Sequence, residues 1–177
     1  IKGLVIQNCD HAISISGELT GGNWIYGNLI GTESDGLSAA ANNVGVFIGD
    51  GSTANMVGSN GDGTDDPSEA NTIAHNLTAG VMIDGEATLG NTVRHNTMHH
   101  QSGNGIVLEN GANESIAAPS GLYQGDFEPP LHGMMKLSGE NSRPEAWVDI
   151  YTVDDGENCD GMTYLDSALA DEEGQWS

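Results

Sequence analysis

One six-residue phrase, Asn-Thr-aliphatic-x-His-Asn, occurs twice in this chain, at residues 71–76 and 91–96. The copies lie 20 residues apart (91 minus 71), and similarity at a fixed period of about 20 to 50 residues is typical of solenoids, propellers and other arrays. Between the copies, a glycine-bounded run at residues 80–85 places aliphatic residues two apart, which is the period of a strand with one buried face. The repeat therefore predicts a fold made of similar stacked units.

Further glycine-bounded strands begin at Gly45, Gly80 and Gly105, and their spacings of 35 and 25 residues (80 minus 45, 105 minus 80) are unequal. The polar segments 31–43 and 59–70 account for the difference, because insertions in a solenoid leave the stack as surface loops. With 26 glycines and only 5 % aromatic residues, the composition favours short strands and tight turns over packed helices.

These patterns predict an all-β fold, a right-handed parallel β-helix, over residues 1–118. Each turn would contain three short strands, with aliphatic side chains stacked inside. Asn23, Asn71 and Asn91 occupy similar places in the phrases. We expect these three amides to line up and to hydrogen-bond along the axis of the stack.

Three longer stretches carry a resemblance to a known family: GNLIGTESDGLSAAANNVGVFIGDG, MVGSNGDGTDDPSEANTIAHN and LGNTVRHNTM. They resemble the parallel β-helix repeats of large secreted bacterial surface proteins, the group often marked by an N-terminal CSLREA motif. The resemblance extends over residues 1–116 and implies an extracellular or cell-surface location. His75 and His95 depart from it, because they stand where the repeat of that family usually has Gly.

Composition changes from Ala117 onward, where a linker is predicted at residues 119–133. The segment 134–177 resembles part of the immunoglobulin-like module that follows the β-helix in such proteins, with strands expected at 135–137, 146–151, 164–165 and 175–176. Its 44 residues (177 minus 134, plus one) are fewer than the roughly 100 that such a sandwich needs. A partial sandwich leaves an open edge, which is a template for strand addition from another chain.

The charge of the chain limits its partners. A net charge of -22, from 26 acidic and 4 basic residues, argues against nucleic acid, because phosphate neutralisation requires Lys and Arg. No stretch approaches the roughly 18 apolar residues of a membrane span, so membrane insertion is not predicted. Such a surface suits divalent cations and the outside of a cell. Because the chain begins at Ile1 without an initiator Met or signal peptide, we expect a piece of a longer precursor.

The loop at residues 58–69 is the strongest candidate for an ion site. If Gly63 takes the sixth position of an EF-hand-type calcium loop, the remaining ligand positions 3, 5, 7, 9 and 12 fall on Asn60, Asp62, Thr64, Asp66 and Glu69. Gly58 breaks the pattern, since it stands at position 1 where a carboxylate is expected. Calcium is the one cofactor that the sequence predicts, and a solvated turn rich in Asx and Gly is the alternative.

Four histidines, His75, His95, His99 and His100, invite interpretation as metal ligands or as a general base. His75 and His95 share a position in the repeated phrase, so we expect them to stack about 5 Å apart, one strand spacing. The sequence places no carboxylate beside either of them, and it therefore favours stacked surface histidines over a set of ligands.

Two functions remain open. The favoured one is a non-catalytic structural or adhesive module, a rigid acidic rod that joins other copies or other surface proteins by strand addition. The alternative is a β-helix polysaccharide lyase or glycoside hydrolase, for which Asp84 and Glu109 are the candidate catalytic pair, since hydrolysis needs two carboxylates about 5 to 10 Å apart. Few aromatic residues (Trp24, Tyr26 and Phe47) lie in the predicted helix, which favours the structural reading. Glycans are a further class of partner.

Overall fold

A computed structural model of the chain describes residues 1–116, 120–126, 135–140, 146–153 and 161–176. The chain divides into two compact units, Ile1–Ser115 with Tyr151–Tyr164, and Ile116–Ile150 with Leu165–Ser177. Most regular structure is β-strand, as predicted. No helix in the described ranges is long and apolar enough to cross a membrane.

Residues 1–115 form three parallel sheets. The first sheet contains β1 (Val5–Ile6), β4 (Leu29–Ile30), β7 (Thr72–Ala74) and β10 (Thr97–His99). The second contains β2 (His11–Ser16), β5 (Val44–Gly49), β8 (Ala79–Asp84) and β11 (Asn104–Glu109). The third contains β3 (Trp24–Ile25), β6 (Met56–Gly58) and β9 (Thr92–Arg94). Residues 1–115 also contain a four-residue helix, Asp66–Glu69 (α1), and a turn at Ala112–Ser115 that includes left-handed residues.

Successive strands along the chain belong to the first, the second and the third sheet, and this order then repeats. The chain completes this cycle three times, and β10 and β11 begin a fourth. The glycine-bounded strands predicted from Gly45, Gly80 and Gly105 are β5, β8 and β11, which are successive neighbours in the second sheet. We call each passage through the three sheets a turn of the stack.

The repeated phrase does not occupy equivalent places in these turns. Thr72 pairs with Thr97 in the first sheet, whereas Thr92 pairs with Met56 in the third. The turn that contains both phrases is therefore 25 residues long (97 minus 72), not 20. Each phrase begins at an Asn that immediately precedes a short strand, so it marks the start of a strand and not the sheet that the strand joins.

The predicted alignment of three asparagines is correct for Asn23 and Asn91, which share a column, and is wrong for Asn71 for the same reason. Asn71 contacts the side chain of Asn28 in the turn before it. Asn23 and Asn91 belong to a different column, in which Asn55 lies between them. Columns of amides do exist, but each has members that the repeated phrase does not reveal.

The apolar core draws side chains from all three sheets. Its buried members are Ile13, Ile15, Val46, Ile48, Val81 and Ile83 of the second sheet, Ile30, Ile73 and Met98 of the first, Ile25 and Val57 of the third, and Ala112. Pairing in register places like residues over one another, as with Ile30 over Ile73. Burial of each large aliphatic side chain contributes about 1.5 to 3 kcal/mol, so each turn is stabilised mainly by its neighbours.

Close approach of successive turns explains two of the glycines. Gly58 has a φ of +106°, and a Cβ at this position would overlap the carbonyl oxygen of Arg94. Gly31 has a φ of +87°, and its Cβ would overlap the carbonyl oxygen of Ala74. Only glycine combines this left-handed backbone with so small a distance to the next turn.

Five further strands lie in the described part of residues 120–176. An antiparallel sheet contains β12 (Ser120–Asp126), β13 (Met135–Glu140) and β16 (Gln175–Trp176), and a two-stranded sheet contains β14 (Trp147–Val153) and β15 (Gly161–Leu169). The four strands predicted in this segment are confirmed. A small apolar cluster of Val148, Ala170 and Trp176 packs here.

Strand β12 lies inside the predicted linker 119–133. Its residues pair with β13, so their backbone polar groups find partners in a sheet, which composition alone did not indicate. Residues 117–119 and 127–134 lie outside the described ranges, and they include the predicted boundary at residue 118.

Candidate functional site

Three columns of side-chain amides follow the stack, with one amide from each turn after the first, and the third-sheet column has a member in the first turn as well. We call them the amide ladders, and their members are Asn28, Asn71 and Asn96 at the first sheet, Asn42, Asn76 and Gln101 ahead of the second, and Asn23, Asn55, Asn91 and Asn113 at the third. At each link except the last one of the third-sheet ladder, one amide oxygen accepts two bonds. These come from the backbone N–H and the side-chain NH₂ of the preceding turn.

Asn71 shows how completely a ladder position is satisfied. Its side chain is fully buried, and its Oδ1 accepts the backbone N–H of Asn28 at 3.1 Å and the side-chain NH₂ of Asn28 at 2.9 Å. Its Nδ2 donates to Ile25 O at 2.9 Å and to Asn96 Oδ1 at 2.8 Å. Both lone pairs and both protons of the amide are used, which is the condition under which a buried polar network stabilises a fold.

The predicted calcium loop is a compact turn whose carboxylates bond within the loop. Ser59 Oγ lies 2.6 Å from Asp66 Oδ1 and 2.9 Å from Glu69 Oε2, so one hydroxyl is shared by two carboxylates. The second oxygen of Asp66 accepts the Gly63 N–H at 3.0 Å. The hydroxyl of Ser59, followed by the N–H of Gly63, lowers the pKa of Asp66 from its ordinary value, although burial acts in the opposite direction.

The other predicted ligands of this loop form Asx turns. Asn60 Oδ1 accepts the Asp62 N–H at 3.0 Å, and Asp62 Oδ1 accepts the Thr64 N–H at 2.8 Å. The second oxygen of Asp62 accepts the side-chain NH₂ of Asn60 at 3.0 Å. Both predictions for this loop, a calcium site and a solvated turn, use the same oxygens, and each carboxylate keeps lone pairs beyond those that accept these bonds.

The candidate catalytic carboxylates lie on neighbouring strands. Asp84 ends β8, Glu109 ends β11, and the two are partners in register. Asn110 donates to Asp84 Oδ1 at 2.7 Å. An open depression of about 530 Å³ lies beside them, and its walls are Glu86, Leu89, Asn110, Gly111, Glu114 and Ser115. The sequence pattern thus placed the two carboxylates side by side. The depression next to them is lined by other residues.

Aromatic side chains of the first unit contact one another or neighbouring polar groups. Trp24 packs against Tyr26 with ring centroids 4.3 Å apart, and its Nε1 donates to Gly58 O at 2.6 Å. Lys2 Nζ lies 5.5 Å from the centre of the Tyr26 ring. On the second sheet, Phe47 stacks on His11. Pairs of this kind stabilise strand surfaces.

Three histidines meet at the end of the first sheet. The rings of His75 and His100 stack with centroids 5.2 Å apart, and His99 lies edge-on to both. One potential ligand nitrogen from each ring lies within 4.8 Å of the others, and within the described residues this is the one group of three or more His, Cys, Asp or Glu side chains so arranged. The predicted stacking of His75 on His95 is wrong, because His95 follows β9 of the third sheet.

A signal for this cluster is present in the sequence at a 25-residue offset. Residues 72–76 (TIAHN) align with residues 97–101 (TMHHQ), and this alignment is the register that the strands adopt. It places His75 and His100 in equivalent positions of successive turns.

Comparison with known proteins gave no match at a significant level, whether with family models, with curated proteins or with solved structures.

Proposed function

We propose that the chain is a non-catalytic structural module of a secreted or cell-surface protein, in which residues 1–118 form a right-handed parallel β-helix. The observation that best supports this is the set of amide ladders. Each ladder uses buried, hydrogen-bonded side chains to join one turn to the next, and the apolar core joins the same turns. Such a stack resists bending and unfolding because every turn is held by its neighbours.

The acidic surface is the second property of the proposed rod. A net charge of -22 keeps such a protein soluble and suppresses nonspecific association. The resemblance to repeats of bacterial surface proteins agrees with a place outside the cell. We propose that residues 134–177 are part of an immunoglobulin-like module, as in the proteins that these repeats resemble.

Partners are proposed to join through sheet edges. In the first unit each parallel sheet has an edge strand at either end of its order, and several apolar side chains near these edges are exposed, including Leu4, Val5 and Ile106. Unpaired edges of this kind accept another strand. We propose that other copies or other surface proteins add there, and that repulsion between acidic surfaces limits such contacts at low salt.

The alternative function is a β-helix polysaccharide lyase or glycoside hydrolase. One observation favours it: Asp84 and Glu109 are partners in register on adjacent strands, and neighbouring parallel strands are separated by about 4.8 Å. A retaining glycosidase needs carboxyl groups about 5 to 5.5 Å apart.

A single experiment separates the two functions. The purified chain is incubated with acidic and neutral polysaccharides, and new reducing ends and unsaturated products are measured beside its state of association by sedimentation velocity. A structural module gives association without cleavage. Cleavage that disappears in the Asp84→Asn, Glu109→Gln double variant, and persists in a matched Asp50→Asn control on β5's turn, would establish the enzyme and overturn the proposal.

Calcium remains a proposal for the loop at residues 58–69. Oxygen-rich loops bind this ion, but here the oxygens of Asp62, Asp66 and Glu69 already accept hydrogen bonds. Isothermal titration with Ca²⁺ tests it. Heat that is lost in Glu69→Gln but retained in Glu33→Gln would support the site, whereas a wild-type titration without heat would leave a solvated turn.

A further inference from the structure

The histidine cluster has the geometry of a metal site. His99 Nδ1 lies 2.8 Å from His100 Nδ1, and the three potential ligand nitrogens of the cluster all lie within 4.8 Å of one another. In a tetrahedral Zn²⁺ site with Zn–N distances near 2.0 to 2.1 Å, ligand nitrogens are about 3.3 Å apart. The separation of 2.8 Å is shorter than this value and the others are at most 4.8 Å, so binding of one ion requires the rings to rotate.

The three side chains are positioned by the ends of two paired strands. His99 is the last residue of β10, and it is buried, with 6 % of its surface exposed. His75 and His100 each follow a paired strand and adopt a left-handed backbone, with φ of +59° and +54°. That conformation costs a residue other than glycine about 1 to 2 kcal/mol. His95 adopts the same conformation after β9, so this backbone is a feature of the turns that end these strands and holds each histidine at a fixed place.

A second polar contact orients one of the rings. His75 Nε2 lies 3.0 Å from Leu37 O, and Leu37 belongs to the loop between β4 and β5. A histidine that binds a metal usually donates its other ring N–H to a carbonyl or carboxylate, which fixes the ring and the tautomer. Donation through Nε2 leaves Nδ1 of His75 as its ligand atom.

We propose that His75, His99 and His100 form a binding site for a divalent transition-metal ion, with Zn²⁺ as its representative. Imidazole nitrogen suits Zn²⁺, Cu²⁺ and Ni²⁺, whereas Ca²⁺ and Mg²⁺ take oxygen ligands. The site is therefore distinct in chemistry from the calcium loop. Three protein ligands leave one position of a tetrahedral ion for water or for a group from a partner.

Such a metal would join elements that are distant in sequence. His75 and His99 lie in successive turns of the stack, and Leu37 lies in the loop that contacts His75. An ion bound to the folded chain stabilises it by mass action. The inference is independent of the proposed structural role, since an enzyme built on the same stack would contain the same three side chains.

The test uses the complete chain, freed of metal by dialysis against a chelator. Zn²⁺ is titrated by calorimetry, and Co²⁺ is added separately to record visible absorption, since a tetrahedral Co²⁺ site absorbs strongly there. The variants are His75→Asn and His100→Asn, because Asn tolerates a left-handed backbone, and His99→Gln. His11→Gln is the matched control, since His11 is an exposed strand histidine that stacks on Phe47, away from the cluster.

We expect one Zn²⁺ per chain for the wild type and for His11→Gln, with a rise in melting temperature at saturation. Each cluster variant should weaken binding by at least tenfold and lose the tetrahedral Co²⁺ spectrum, with circular dichroism unchanged in the two Asn variants. The proposal is overturned if the wild type binds no Zn²⁺. It is also overturned if binding survives in His75→Asn and His100→Asn, or if His11→Gln loses as much affinity as they do.

Discussion

Replacing Asn71 by Ala tests whether the amide ladders stabilise the stack. The substitution removes the side-chain amide from the middle of the first-sheet ladder. The N–H of Asn28 and the carbonyl of Ile25 then lose the contacts that this amide makes with them. The site is fully buried, so bulk water does not reach it directly.

The magnitude follows from these lost partners. A buried polar group left without a partner costs about 1 to 3 kcal/mol, and the N–H of Asn28 becomes such a group, whereas Ile25 belongs to a strand that pairs with β6. A loss of this size is a large fraction of the roughly 5 to 15 kcal/mol by which a domain is stable. Asn43→Ala is the matched control. Asn43 also bonds across turns, donating to Asp10 and accepting from Thr78, but these contacts are exposed. Its loss should cost less than about 1 kcal/mol, because water replaces the partners.

Urea unfolding followed by far-UV circular dichroism measures both variants. Hydrogen exchange of the peptide at residues 71–84 shows whether the loss arises in the turn that contains the substitution. We expect faster exchange there in Asn71→Ala only. We reason that the buried ladder, and not amide contacts in general, holds the turns together. Equal free energies of unfolding for the two variants would refute this. A loss below about 1 kcal/mol in Asn71→Ala would refute it as well.

Three further predictions concern the glycines, one carboxylate and the acidic surface. Gly58→Ala should lower the free energy of unfolding by at least about 2 kcal/mol, because its Cβ would overlap the next turn. Gly63 has a φ of +80° and open space around it, so Gly63→Ala should lower the free energy of unfolding by only about 1 kcal/mol. Urea unfolding of both variants measures the difference. Hydrogen bonds from Ser38 and from nearby backbone N–H groups lower the pKa of Asp35 from 3.8 to about 2. The stability that this carboxylate contributes is therefore present above pH 3.8 and lost as the pH falls towards 2; an NMR titration should show Ser38→Ala moving the pKa back up, and an unchanged pKa would contradict the assignment. Association of the chain should strengthen with salt, since the screening length falls from about 10 Å at 0.1 M to about 3 Å at 1 M; sedimentation velocity that shows weaker association at high salt would count against edge-mediated assembly.

Local patterns were sufficient to predict the strands. Residues 80–85 place Val81 and Ile83 two apart between glycines, and this stretch largely coincides with β8 (Ala79–Asp84). Such a pattern depends only on one buried face. The strands at 135–137 and 175–176 were recognisable for the same reason. β12 was not, because pairing with β13 is a long-range event that the composition of residues 119–133 does not encode.

The register between strands of neighbouring turns was not predicted correctly. Asn71 and Asn91 begin identical phrases, but the loops between turns differ in length, and the strands that follow them join different sheets. The same error in register hid the contact of His75 with His99 and His100, because this contact depends on which strand pairs with β7. Chemistry that arises between turns is visible only after the pairing of the strands is known.

The amide ladders also have a direction. At every link described, N–H groups of one turn point to an amide oxygen of the following turn, as from Asn28 to Asn71 and from Asn71 to Asn96. The direction continues to the start of the stack, where Asn28 and Asn42 accept from the backbone N–H groups of Leu4 and Cys9. A second copy that continued the ladders would have to arrive in the same orientation, head to tail. Contacts of that kind are heterologous, and they lead to open linear polymers instead of closed two-fold pairs.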